Sequence, residues 1–146
     1  MKMKGIACIW CAVFLLALIG QVAAQDGATL KVSVSGFQND KGDAKISIFN
    51  SKESFAAGDT GFRAAVLPIK GGKAEWVLSG LPYGTYAIKI YHDENGNGKL
   101  DKNSFGMPKE KYGFSNNARG SFGPPGYDQV AFTFNNTNNT ITITVE

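Results

Sequence analysis

The chain has 146 residues, with 15 basic against 12 acidic side chains, 43% hydrophobic residues, 18 glycines and two cysteines. That size and balance fit one compact domain and exclude a fibre, a coiled coil or a disordered tail. The first 24 residues are chemically unlike the rest, so the totals are read with that segment set apart.

Lys2 and Lys4 give a positive start, residues 6–19 carry no charge, and Val22, Ala23 and Ala24 supply small side chains of the kind a signal peptidase reads. The expectation is an export signal over residues 1–24, cleaved after Ala24, with residues 25–146 as a single exported domain, periplasmic or secreted. An uncleaved anchor fits less well, because the apolar run falls short of the roughly 20 residues that a helix needs to cross the hydrocarbon core. Cys8 and Cys11 both lie inside this run, so the segment beyond it has no cysteine and needs no disulfide. Without Lys2 and Lys4, 13 basic side chains face 12 acidic ones, with no clustered basic stripe. Nucleic acid is therefore not expected as a partner.

Beyond residue 24, Leu30, Val32 and Val34 alternate with Lys31, Ser33 and Ser35, and Ile46 and Ile48 alternate with Lys45 and Ser47. Period-two alternation of this kind marks half-buried strands. Residues 51–57 break the pattern and read as a short helical turn crossing between strands, capped by Ser51 and stopped by Gly58. A weaker strand is expected near 64–68, and clearer ones at 76–78, 86–91, 130–134 and 140–145. Between them, residues 80–86 (Gly-Leu-Pro-Tyr-Gly-Thr-Tyr) form a turn in which Pro82 fixes one dihedral and Gly84 can take a positive one. This turn resembles the Leu-Pro-x-Gly-x-Tyr turn of prealbumin-like and carboxypeptidase-regulatory-like sandwiches. About seven strands imply an all-β fold, an antiparallel β-sandwich of Ig-like or prealbumin-like kind.

Residues 93–126 hold seven of the glycines, five Asn and three Pro. A loop that long needs something to organise it, and Phe105, Met107, Tyr112, Phe114, Phe122 and Tyr127 argue for order through small apolar contacts of its own. Its first nine residues place Asp93, Asn95, Asn97 and Asp101 at relative positions 1, 3, 5 and 9, with Gly98 at 6 and the Lys99 carbonyl at 7. This is the first part of a Ca²⁺ loop, in which alternate oxygens on a tightly curled backbone converge on one hard cation. Position 12 is Ser104 rather than a bidentate Glu, and the preceding segment reads as a strand, so it is not an EF-hand. Glu94 or Glu110 could close the shell. With two carboxylates, the expected affinity is weak, of order 10⁻⁴ M or somewhat tighter. Asn-Gly-Asn-Gly also suits a plain turn.

Tyr112, Phe114, Asn116, Asn117 and Arg119, in a block reaching to Pro125, carry the aromatic, amide and guanidinium groups that grip a sugar or a peptide. Alternatively, Phe114 and Phe122 plug the sandwich edge, the two Asn hold loop backbone and Arg119 pairs with a carboxylate. His92 is the only histidine, and a single His at a strand end is more often a surface or supporting residue than a catalyst. With no Ser-His-Asp spacing, no nucleophilic Cys and no second His for zinc, an enzyme is not expected. A small-molecule hydrolase ranks below a binding or structural module organised by Ca²⁺, and below a glycan- or peptide-recognition domain. Asn135 and Asn138 fit the glycosylation sequon but read as a polar hairpin turn between the last two strands.

Residues 91–101 (Tyr-His-Asp-Glu-Asn-Gly-Asn-Gly-Lys-Leu-Asp), 105–110 (Phe-Gly-Met-Pro-Lys-Glu), 112–120 (Tyr-Gly-Phe-Ser-Asn-Asn-Ala-Arg-Gly) and 122–125 (Phe-Gly-Pro-Pro) together resemble domain of unknown function family 2141, a family of secreted bacterial proteins. The resemblance implies an exported single-domain β-protein and no particular activity.

Overall fold

A computed structural model describes residues 28–58, 61–136 and 139–146. The segment read as an export signal lies outside the described residues. The strands are β1 (Ala28–Ser35), β2 (Asp43–Phe49), β3 (Arg63–Pro68), β4 (Lys73–Leu81), β5 (Gly84–Asp93), β6 (Tyr112–Phe114), β7 (Phe132–Phe134) and β8 (Thr140–Thr144). Helix α1 (Lys52–Ala57) lies between β2 and β3, and α2 (Tyr127–Val130) lies just before β7. One sheet runs β4-β1-β8, and the other runs β3-β2-β5-β6 with β7 also paired to β5. Among the described residues no helix is long and apolar enough to cross a membrane.

The alternation in the sequence becomes the interior. Leu30, Val32 and Val34 of β1 and Ile141 and Ile143 of β8 face Ala44, Ile46 and Ile48 of β2 and Tyr86, Ile88 and Ile90 of β5 in one continuous core. Each fully buried aliphatic side chain contributes about 1.5–3 kcal/mol. A second, smaller cluster covers the opposite side of β2 and β5, where Phe49 and Ala87 meet Phe55 of α1, Phe114 of β6 and Val130 of α2. Both clusters, as described, draw on residues between Leu30 and Val145.

The expected all-β, mainly antiparallel sandwich is what the chain forms, and the finer expectations need correction. The sandwich is dominated by antiparallel pairs, but β1 and β8 run parallel, with Val32 opposite Ile141 and Val34 opposite Ile143. An eighth strand, β6, lies inside the long loop. Val130 ends a helical turn instead of opening a strand, because Gln129 folds back to accept a hydrogen bond from the Gly126 amide at 2.9 Å. The last two strands are not a hairpin, since β7 pairs with β5 and β8 with β1 in the other sheet. Helix α1 has the expected caps, Ser51 Oγ accepting from Ser54 N and Gly58 at φ 71°, yet it joins neighbours of one sheet and crosses nothing. In the 80–86 turn the positive φ falls on Gly80, at 68°, and not on Gly84. Tyr86 completes that turn by donating from its hydroxyl to the Pro82 carbonyl at 2.8 Å, the tyrosine corner of Greek-key sandwiches.

The free edge of β5 is shared by two short strands, β7 opposite residues 84–86 and β6 opposite residues 89–91. Ser115 bridges the break between them. Its buried hydroxyl accepts from Ile88 N at 2.9 Å and donates to the Val130 carbonyl, so a side chain does the work of the missing strand. At the opposite side of the sandwich the Arg63 guanidinium donates to the Ser79 and Gly80 carbonyls, at 3.0 and 3.1 Å, and ties β3 to β4.

Candidate metal centre

Strand β5 delivers Asp93 to the end of the sheet, directly opposite Asp43 of β2, and leaves its side chain fully buried. The chain then curls through Gly96 and Gly98, with φ 71° and 77°, a conformation that costs an L side chain about 1–2 kcal/mol. Asn95 Oδ1 accepts from Asn97 N at 3.0 Å, and Asn97 Oδ1 accepts from Lys99 N at 2.9 Å. These successive Asx turns set the curl. Asp93 Oδ2 accepts from Gly98 N at 2.9 Å and holds the far side of the loop over the strand end. Tyr91 contributes a tie that the sequence reading missed, its hydroxyl donating to the Gly98 carbonyl at 2.9 Å.

Three of the four predicted side chains meet at Asp101. Asn95 Nδ2 donates to Asp101 Oδ2 at 2.6 Å and Asn97 Nδ2 donates to Asp101 Oδ1 at 2.9 Å. Asp93 is hydrogen-bonded to none of them; its Oδ2 takes the Gly98 amide, while its second oxygen, Oδ1, is buried without a hydrogen-bond partner. Lys45 Nζ lies 3.6 Å from Oδ2 and offsets part of the charge. Lys99 is exposed. Of the two further carboxylates, Glu110 is turned to the loop, its oxygens accepting from Glu94 N at 3.0 Å and Asp101 N at 2.9 Å. Glu94 instead accepts from Asn39 Nδ2 at 3.0 Å. An open cleft of about 430 Å³ lies here, lined by Lys41, Glu94, Asn95, Asp101, Lys109 and Glu110. Among the described residues no three His, Cys, Asp or Glu side chains form a metal-holding group, so any cation here depends on amide and carbonyl oxygens as well as carboxylates.

Of the two roles expected for His92, surface or supporting, the structure shows the supporting one: it is buried, its Nε2 lies 2.7 Å from the Lys41 carbonyl and its ring meets Phe37 edge-on at 5.3 Å. A bond to a carbonyl requires the proton on Nε2. The imidazole thus pins residue 41 beside the root of the loop, a role visible only once β2 and β5 are paired.

The second block is knitted into the fold. Asn116 Nδ2 donates to the Ala131 carbonyl at 2.8 Å, and Asn117 Oδ1 accepts from Thr144 N at 2.8 Å. Arg119 pairs with Glu146 at 3.0 Å. Phe114 is buried and Tyr112 packs against the same cluster. Phe122 plugs no edge, being fully exposed, and Phe105 and Met107 are exposed too. The order of the long loop comes from Tyr112, Phe114, Tyr127 and its turns rather than from all of its apolar residues.

A family model described as an uncharacterized protein conserved in bacteria (DUF2141) matches residues 32–142, most of the chain, and the chain belongs to that family. No curated protein and no solved structure matches it.

Proposed function

We propose that this family member is an exported β-sandwich whose 93–101 loop takes up Ca²⁺, and that it serves as a binding or structural module, not an enzyme. The observation that carries the metal reading is Asp93 Oδ1, a buried carboxylate oxygen without a hydrogen-bond partner at the root of a loop curled by the Asx turns of Asn95 and Asn97. Leaving such a group unsatisfied is costly, and a hard cation would satisfy it. Asn95 and Asn97 each retain a second lone pair on Oδ1 while holding their Asx turns. Asp101 and the Lys99 carbonyl supply further oxygens, and Glu110 braces the loop at both ends. The neighbouring Lys45 ammonium and the two-carboxylate count keep the affinity weak, of order 10⁻⁴ M.

Calorimetric titration with Ca²⁺, paired with melting curves, tests this on the protein from Gln25 onward. At a tenfold excess over Kd the metal stabilises by about 1.4 kcal/mol, a rise of about 4 °C. Asp93→Asn keeps the acceptor for Gly98 N and removes the charge, so it should fold and lose the Ca²⁺ response. The absence of both heat and melting shift in the unaltered protein at millimolar Ca²⁺ would overturn the reading.

A further inference from the structure

We propose that the hairpin formed by residues 101–109 is a docking tip for an anionic phospholipid surface. The hairpin is closed at its base by Lys109 N donating to the Asp101 carbonyl at 2.8 Å and by a bridge between Lys102 and Pro108. Its apex is built from the inside. Asn103 N donates to the Met107 carbonyl, and Asn103 Oδ1 accepts from both Phe105 N and Met107 N, at 2.9 and 3.0 Å. Gly106, at φ 80°, makes the turn. A rigid apex of this kind presents its side chains with little further ordering cost.

What it presents has no use in the fold. Phe105 is 89% and Met107 62% exposed. A single exposed apolar side chain is ordinary, but two on one rigid tip are an interaction feature. Their flanks carry Lys99, Lys102, Lys109 and Lys111 against Asp101 and Glu110. Both of those carboxylates are already occupied by loop amides, Asp101 with Asn95 and Asn97 and Glu110 with the backbone of Glu94 and Asp101. Hydrogen bonds from neutral amides leave both carboxylates charged, so the flanks are net positive only because four lysines face two carboxylates. A convex tip with an aromatic ring and a thioether at its apex and lysines behind it fits the headgroup boundary of a bilayer. There the apolar groups enter the acyl edge and the ammonium groups stay at the level of the phosphates. A protein partner would instead have to supply a pocket for a protrusion. The inference does not depend on Ca²⁺ binding.

Co-sedimentation of the protein from Gln25 onward tests it, with vesicles of equal parts phosphatidylglycerol and phosphatidylethanolamine against vesicles of phosphatidylcholine alone, in the presence of a chelator. Binding to the anionic vesicles is expected, with weak or no binding to the neutral ones. The double change Phe105→Ser with Met107→Ser should reduce partitioning at least about tenfold. Lys102→Gln with Lys109→Gln should reduce it about fivefold for each lysine, and on anionic vesicles only. All four positions are exposed, so unchanged melting curves are expected to accompany the loss. Failure to bind anionic vesicles, or binding that survives the Phe105 and Met107 changes, would overturn the proposal. Because the chelator removes Ca²⁺ throughout, such a failure does not touch the metal reading, which the calorimetric titration tests by itself.

Discussion

At the root of the loop, Gly42 sits at φ +63°, and a Cβ placed there would come within 1.9 Å of the Asp93 carbonyl oxygen and 2.8 Å of Glu94 Cα. Both partners are backbone, so nothing can swing aside. Gly96, with φ +71° and open space around it, faces only the dihedral cost. Gly42→Ala is therefore expected to destabilise by about 3 kcal/mol or more and Gly96→Ala by about 1 kcal/mol. Urea unfolding of the two variants measures the difference, and equal losses would mean that the close approach at Gly42 is not there. The same contrast marks what the sequence could disclose at this scale. Asp93, Asn95, Asn97 and Asp101 are legible because their spacing acts within nine residues. Gly42 and the buried His92 act across strand pairing, and no local pattern announces them; Glu110 could be named from the sequence, but not the amides it holds.

Among the elements, strands with a wet face were readable and short pieces were not. Strand β1 alternates through Leu30, Val32 and Val34, whereas β6 has three residues, too few for a period to emerge. Val130, Phe132 and Phe134 alternate as a strand would, yet Val130 belongs to a four-residue helix. Its burial serves the second cluster rather than the first. The turn into β5 was recognisable by its residues, although the backbone strain falls at Gly80. Its stabilising feature is the bond from the Tyr86 hydroxyl to the Pro82 carbonyl. Tyr86→Phe removes that bond and leaves the ring among Phe132, Phe134 and Phe62. The expected loss is about 1 kcal/mol with an unchanged denaturant slope.

Across the whole molecule, alkaline behaviour follows from groups that burial has shifted. Burial raises the pKa of Tyr86, Tyr91 and Tyr127, and nearby carboxylates add to the rise at the last two. In the unfolded chain these phenols ionise near pH ~10, before they do so in the folded protein. Their contribution is thus present below that pH and lost as pH climbs through the raised values. Lys89 works in the opposite sense. Burial lowers its pKa, its ammonium lies 3.9 Å from the Phe55 ring centre and donates to the Phe55 carbonyl, and the cost of keeping it charged is relieved as pH rises. Urea midpoints followed from neutral pH to beyond pH ~10 should fall at the alkaline end. Lys89→Met should steepen that fall by removing the opposing gain, and an identical profile in the variant would refute the assignment. The sandwich itself was legible at this scale, but its closure was not. Alternation tells which face of a strand is buried and says nothing of which strand lies beside it, so the parallel pairing of β1 with β8 could not be read.

That pairing also sets an order in time. Strand β1 is the middle strand of its sheet, and one of its two neighbours consists of residues 140–144, so one edge of the first described strand waits for the last. Until Ile141, Ile143 and Val145 arrive, the wall made by β4 and β1 is incomplete. Such non-local closure is slow. A chain issuing from a ribosome or threading a pore has the partners for β1 with β4 and for β2 with β3 and β5 early, and seals the core only when β8 arrives.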